Sequence, residues 1–249
     1  MIGKALQDSP PFACLFDPED ELVRLRGEVA VSRKSMLVFG EEGAGKTRLL
    51  KRFADTAKFA LYVSDCNSPT GIIVGLLDAM QKADVSKELL KTSSSGIRNL
   101  TGVVQRVLDQ DEWILVLDHV RSPSVALGRL VKELNYYNRT PVVFAGRSEH
   151  MEDIGTFRTF CTNRSSRLEL KPWTSMVALE FTKQQAARVG LEASNLDEAL
   201  QGIAEMSKGY PGPILKMLRM AKEPAYQRDG QIKFHVVGLD YRLRGTRAQ

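Results

Sequence analysis

The stretch GEEGAGKT, Gly40–Thr47, fits G-x-x-x-x-G-K-[ST] in full. It follows an apolar run, MLVF (36–39), and precedes a segment of helical spacing, TRLLKRFADTA (47–57). Gly40, Gly43 and Gly45 let the backbone turn tightly and aim its N–H groups inward. The start of the following helix adds partial positive charge, so loop and helix together make a phosphate cradle. Lys46 is placed to reach the β- and γ-phosphates of a nucleotide, and the Thr47 hydroxyl to ligate Mg²⁺, with Ala44 and Arg48 completing the loop. A second apolar run, WILVLD (113–118), ends in Asp118, the acid expected to hold the magnesium shell. The next residue is His119, where an acid that orients the attacking water is usual. Phosphoryl transfer to water depends on positioning and charge stabilisation. Losing that acid predicts ATP binding with slow turnover. A neutral imidazole, with an unperturbed pKa near ~6.5, can still accept a hydrogen bond from water, and Glu149 is a second stand-in.

These residues need strands to deliver them, and the sequence supplies candidates. MLVF (36–39), FALYVS (59–64), WILVLD (113–118), PVVFAG (141–146) and RLEL (167–170) read as five strands. Between them GIIVGLLDAMQKA, GIRNLTGVVQRVLDQ and SVALGRLVKELNYY have helical spacing. Strands that alternate with helices and run continuously apolar imply a parallel sheet buried on both faces. The expected core is α/β, a three-layer α/β/α nucleotide-binding fold with a parallel five-stranded sheet. Residues 174–222 read as helices only, with Gly190 and Gly209 where helices would stop. The expected division is an N-terminal arm (1–16), the α/β core (17–171), a small C-terminal helical lid (172–222) and a basic tail (223–249) with one short strand or helix at 231–238. Asp17 and Pro18 supply a helix start for the core.

Composition narrows the class. The 249 residues, 43% hydrophobic and 26% charged, are ordinary for a globular protein. A net charge of +5 and pI near 9.1 fit nucleic acid or acidic partners without requiring them. Cys14, Cys66 and Cys161 are far apart and form no C-x-x-C pair. His119, His150 and His235 lack metal-ligand spacing. No run approaches the roughly 18 apolar residues of a membrane span, and no signal peptide is evident, so a cytoplasmic protein with no membrane partner is expected.

On these motifs the chain resembles AAA+ ATPases of the small bacterial kind. It is most similar to the branch that holds origin-recognition ATPases, secretion-associated ATPases and the ATPase subunits that select targets for DNA transposons. GEEGAGKT stands as Walker A and WILVLDHV as a modified Walker B. VVFAGRS (142–148) stands where this branch has its sensor-1 strand, which implies that Arg147 or Ser148 touches the γ-phosphate or the lytic water. FRTFCTNRSSRLEL (157–170) stands where the arginine finger of a neighbouring subunit is found, with Arg158, Arg164 and Arg167 as candidates. SKGYPGPILKMLRMAK (207–222) resembles the lid segment that carries the sensor-2 arginine. Pro213 occupies that position here, leaving Lys216 or Arg219 as substitutes, and the analogy places Tyr210 near the adenine.

The resemblance implies ATP and Mg²⁺ as ligands and a homo-oligomer that assembles on double-stranded DNA through phosphate contacts. Groups such as SRK (32–34) and YRLRGTRAQ (241–249) suit that contact, and a transposase-like protein partner fits the same reading. Two alternatives stay open: a STAND-type signalling NTPase acting through a protein partner, and an ordinary ATPase motor or loader that turns over through His119 or Glu149.

Overall fold

A computed structural model of the chain describes residues 19–85 and 96–246. The expected arm at 1–16, the cap at Asp17 and Pro18, Cys14 and most of the Ser-rich turn before residue 97 lie outside these residues. The described chain begins with α1 (Glu19–Leu25), continued by a π-helical stretch at Arg26–Val31. Five short strands follow: β1 (Met36–Phe39), β2 (Ala60–Val63), β3 (Ile114–Leu117), β4 (Val142–Gly146) and β5 (Arg167–Glu169). They form one sheet in the order β2-β3-β4-β1-β5, and every neighbouring pair is parallel. The five apolar runs of the sequence thus become five strands, with β3 and β4 buried along their whole length.

Parallel neighbours need crossovers. The connections carry α2 (Lys46–Thr56), α3 (Pro69–Lys82), α4 (Ile97–Leu108), α5 (Val125–Asn138) and the short α6 (Met151–Ile154). Local sequence sets several helix starts. Ser68 Oγ accepts from Gly71 N–H at 3.0 Å with Pro69 in the first turn, and Ser124 Oγ accepts from Leu127 N–H at 3.2 Å. Gly75 lets α3 lie close on β2, since a Cβ there would sit 2.6 Å from Val63 Cγ1. The core below includes Leu37, Leu61, Ile72, Leu115, Phe144 and Phe157, all buried.

The chain divides into two compact units. One comprises residues 20–42 and 46–170 and contains the sheet; the other takes in the chain from Lys171 onward together with Gly43–Gly45. The second unit contains α7 (Ser175–Val189), α8 (Leu196–Met206) and α9 (Pro211–Ala221). Gly190 ends α7 in the left-handed conformation at φ 63°.

Residues from 223, expected as a basic tail with one short strand or helix at 231–238, carry more structure than that. They form a hairpin of β6 (Gln227–Arg228) and β7 (Gln231–Ile232), then α10 (Phe234–Thr246), a 13-residue helix. Tyr226, Ile232, Phe234 and Val237 are buried in the same core as Phe181, Ile203 and Met217. Apolar anchors at 226, 232, 234 and 237 fold this segment despite its charge, as burying them outweighs leaving them in water. Among the described residues no helix is long and apolar enough to cross a membrane, and no His/Cys/Asp/Glu group could hold a metal ion by itself.

Candidate functional site

The glycine-rich loop leaves β1 and enters α2 at Lys46. Gly40, Gly43 and Gly45 have φ of 149°, 83° and 100°, a region that L side chains rarely adopt. The loop therefore depends on glycine at each of the three positions, with half-buried Ala44 between two of them. Lys46 Nζ donates to the carbonyls of Gly40 at 2.6 Å and Glu41 at 2.9 Å, which folds its side chain back along the loop. Burial pulls the Lys46 pKa below its ordinary value, although the charges of Asp118, Glu41 and Glu42 push the other way. Thr47 is half-buried in the first turn of α2, and Arg48 beside it is exposed.

Asp118 follows β3 directly and is 1% exposed. A carboxylate this deep must be satisfied by hydrogen bonds. Its backbone N–H donates to Val63 O at 2.9 Å, so the adjacent strand β2 fixes the backbone position. One carboxylate oxygen, Oδ1, accepts from His119 N–H at 2.8 Å. The other, Oδ2, accepts from the Tyr62 hydroxyl at 2.7 Å. Burial, and then this bond to Asp118, push the Tyr62 phenol well above its usual pKa, so it stays a donor. Cys66 is buried next to the same charge and its thiol is pushed up to about 12, mainly by burial.

His119 occupies the left-handed region at φ 55°. Histidine is among the residues that tolerate this conformation. The turn carries its imidazole outward: the side chain is 55% exposed, with Nε2 3.6 Å from Asp118 Oδ2. Val120 N–H then rejoins the sheet by donating to Ala145 O at 3.0 Å.

Beyond β4, Arg147 is exposed, and its carbonyl accepts from Gly40 N–H at 3.3 Å, tying this turn to the start of the glycine loop. Ser148 Oγ donates to the carboxylate of Asp153 and accepts from His150 N–H at 3.1 Å. Glu149, expected from the sequence as a second candidate for activating water, pairs with Arg167 at 2.8 Å.

Arg167 is also bound to carbonyls of its own chain, Cys161 O at 2.9 Å through Nε and Thr162 O at 3.0 Å. Arg158 and Arg164 are exposed. In the second unit Tyr210 is half-buried, Pro213 is buried in the first turn of α9, and Lys216 and Arg219 are exposed.

No family model matches this sequence, and a search of curated proteins found no match. Solved structures do match. Cdc6p from Pyrobaculum aerophilum superposes with a TM-score of 0.66 at 14% identity, over 91% of this chain and 66% of that one. The Aeropyrum pernix ORC1 protein, solved in complex with DNA, gives 0.61 at 17% identity, over 91% and 64%. The Thermotoga maritima RuvB Holliday junction branch migration motor gives 0.53 at 18%, over 90% and 66%. The fold is that of a P-loop NTPase, a three-layer α/β/α core followed by C-terminal helices.

The chain spans about two thirds of the length of these structures. Within this fold, the sequence motif and the geometry meet at Gly40–Thr47 and Asp118. Tyr62 escaped the sequence reading. Its signal was available in principle: a tyrosine in an otherwise apolar strand needs a partner for its hydroxyl, and β2 lies beside the strand that ends in Asp118.

Proposed function

We propose that this protein is an ATP-binding switch of the AAA+ kind that assembles into homo-oligomers on DNA and hydrolyses ATP slowly. The observation that carries the reading is the site around Asp118: cradle, lysine and buried carboxylate are all present, while the following residue is a histidine turned outward in a left-handed conformation. ATP and Mg²⁺ fit the residues here. Positive-φ glycines present backbone N–H groups to phosphate, the half-buried Lys46 cation lacks a direct carboxylate partner among its hydrogen bonds, and Asp118 keeps lone pairs free beyond its two bonds. Lys46 and the loop would hold the phosphates, and Thr47 and Asp118 the cation. Bound Mg²⁺ supplies neutralisation of the phosphate charge.

Similar structures support the DNA half of the reading, since ORC1 was solved with DNA and RuvB is described as a branch migration motor. ORC2 from Aeropyrum pernix, also similar at a TM-score of 0.58, was solved with ADPNP and ADP. The net charge of +5 is compatible with phosphate contacts. A switch whose ATP-bound state is itself the signal suits a DNA transaction such as target selection in transposition. Arg158 or Arg164 would then complete the site of a neighbouring subunit, Arg147 would sense the γ-phosphate, and Tyr210 would pack near the adenine.

Three proteins test this directly: wild type, Lys46→Ala and His119→Glu. The expected outcome is ATP binding by wild type that Lys46→Ala abolishes, with turnover barely above background. His119→Glu is expected to raise turnover, on the order of 100-fold for a restored general base. Robust DNA-stimulated hydrolysis by wild type, unchanged in His119→Glu, would show a motor instead of a switch.

A further inference from the structure

Asp118 is 1% exposed and carries one hydrogen bond on each oxygen. The two bonds differ in origin. His119 N–H is backbone, so any non-proline residue at 119 could supply it. The Tyr62 hydroxyl is a side chain, on a different strand and 56 residues away, and only the residue type at 62 provides it. The register explains how it gets there. Tyr62 pairs with Val116 in the parallel β2–β3 ladder, and Asp118 N–H donates to Val63 O, so the phenol extends along the strand to the carboxylate.

The ring is itself steadied, with Lys51 Nζ, from the middle of α2, 5.7 Å from its centroid. A hydrogen bond from a neutral donor to a buried carboxylate is short and strong. It also holds the carboxylate in one rotamer, which fixes where its remaining lone pairs point.

We propose that Tyr62 is a positioning residue for the nucleotide-bound cation: its hydroxyl clamps Asp118 in the orientation that receives Mg²⁺. The inference rests on the reading of Asp118 as the cation-holding acid. Groups that orient a metal-ligating carboxylate typically govern metal affinity by roughly 10–100-fold, without touching metal or nucleotide themselves. Tyr62 should therefore affect ATP binding only through Mg²⁺. A residue with a purely structural role would act equally with and without the cation.

The test is calorimetric titration of the full chain with ATP, in Mg²⁺ and in EDTA, for wild type, Tyr62→Phe and Asp118→Asn. The readout is the ratio of Kd in EDTA to Kd in Mg²⁺. Tyr62→Phe removes one oxygen and keeps the ring, and thermal melts report whether it folds. The expected result is a ratio lowered roughly 10–100-fold, with the Kd in EDTA unchanged. Asp118→Asn should lose the ratio altogether. Tyr62→Phe with the wild-type ratio, or weakened equally in both conditions, overturns the assignment while leaving Asp118 as the cation ligand. If Asp118→Asn keeps the wild-type ratio, or wild type shows no Mg²⁺ effect, the reading of Asp118 fails and this one with it. Should Tyr62→Phe melt early, Mn²⁺ in place of Mg²⁺ keeps the question open to measurement in the folded fraction: a recovered ratio supports cation positioning, and no recovery counts against it.

Discussion

Arg158, Arg164 and Arg167 carry the same charge within ten positions, yet among the described residues the structure gives side-chain partners, of these three, to Arg167 alone. Arg167 pairs with Glu149 and donates to two carbonyls at 20% side-chain exposure. Each such bond to a charged group is worth about 1.5–3 kcal/mol, but partial exposure discounts the sum, so Arg167→Ala is expected to cost about 2 kcal/mol in a denaturant melt. Arg158→Ala and Arg164→Ala should stay within about 0.5 kcal/mol of wild type, and one of them should lose ATP-dependent assembly by light scattering. If Arg167→Ala melts like wild type and alone loses assembly, the finger is Arg167. Lys46 makes a second residue-level prediction. Its folded pKa is lowered by burial, while the unfolded chain holds that proton to about 10.4. Between the two values unfolding takes up a proton, so stability rises with pH there, and below the folded value the penalty is present in full. Lys46→Met removes the penalty. Its nucleotide-free protein should melt at or above wild type at pH 7, with a flatter stability–pH curve approaching pH ~10; a lower melting temperature would mean the bonds to Gly40 and Glu41 outweigh desolvation. Lys46 and its glycines were legible because the motif is contiguous. Tyr62 was not, because only strand pairing brings it to Asp118.

At the scale of elements, the five strands were readable as continuous apolar runs, since both faces of a parallel sheet are covered. The segment from 223 was legible only as one short strand or helix at 231–238, and α10 shows why. It buries Phe234 and Val237 but exposes Val236, Leu239 and Leu243, so apolar residues lie all round the helix and no amphipathic period stands out. Its hairpin did have a signal: Asp229 and Gly230, at φ of 51° and 72°, are the two-residue turn that Asp-Gly favours. Two glycines test how firmly α10 is packed. A Cβ at Gly202 would meet the Phe234 ring at 2.4 Å, and one at Gly238 would meet Met206 Sδ at 2.0 Å. Overpacking against a ring costs about 1–3 kcal/mol, and alanine returns only ~1 kcal/mol of helix propensity. Gly202→Ala should therefore destabilise. Met206 is flexible and can move aside, so Gly238→Ala should be close to neutral. Urea melts separate the two; equal, negligible effects would mean α10 does not rest on α8.

At the scale of the whole molecule, charge and assembly make one joint prediction. Thirty-five basic and thirty acidic residues give +5, a mild excess over the whole chain. Binding through phosphates releases counterions, so log K falls against log salt with a slope of about −0.9 for each phosphate neutralised. On the proposed reading a single copy neutralises few. If ATP recruits several copies onto one duplex, their contacts are counted together and the apparent slope steepens. Duplex affinity is therefore expected to be weak and shallow in salt without nucleotide, and tighter and steeper with ATP and Mg²⁺. Lys46→Ala should keep the shallow line in both conditions, because its charge loss lies in the nucleotide cradle and its defect is in responding to ATP. Measured slopes that match with and without ATP would mean that the nucleotide does not gather copies on DNA. A steep slope already present without nucleotide would place the strong contact within one chain and make ATP the regulator of some later step.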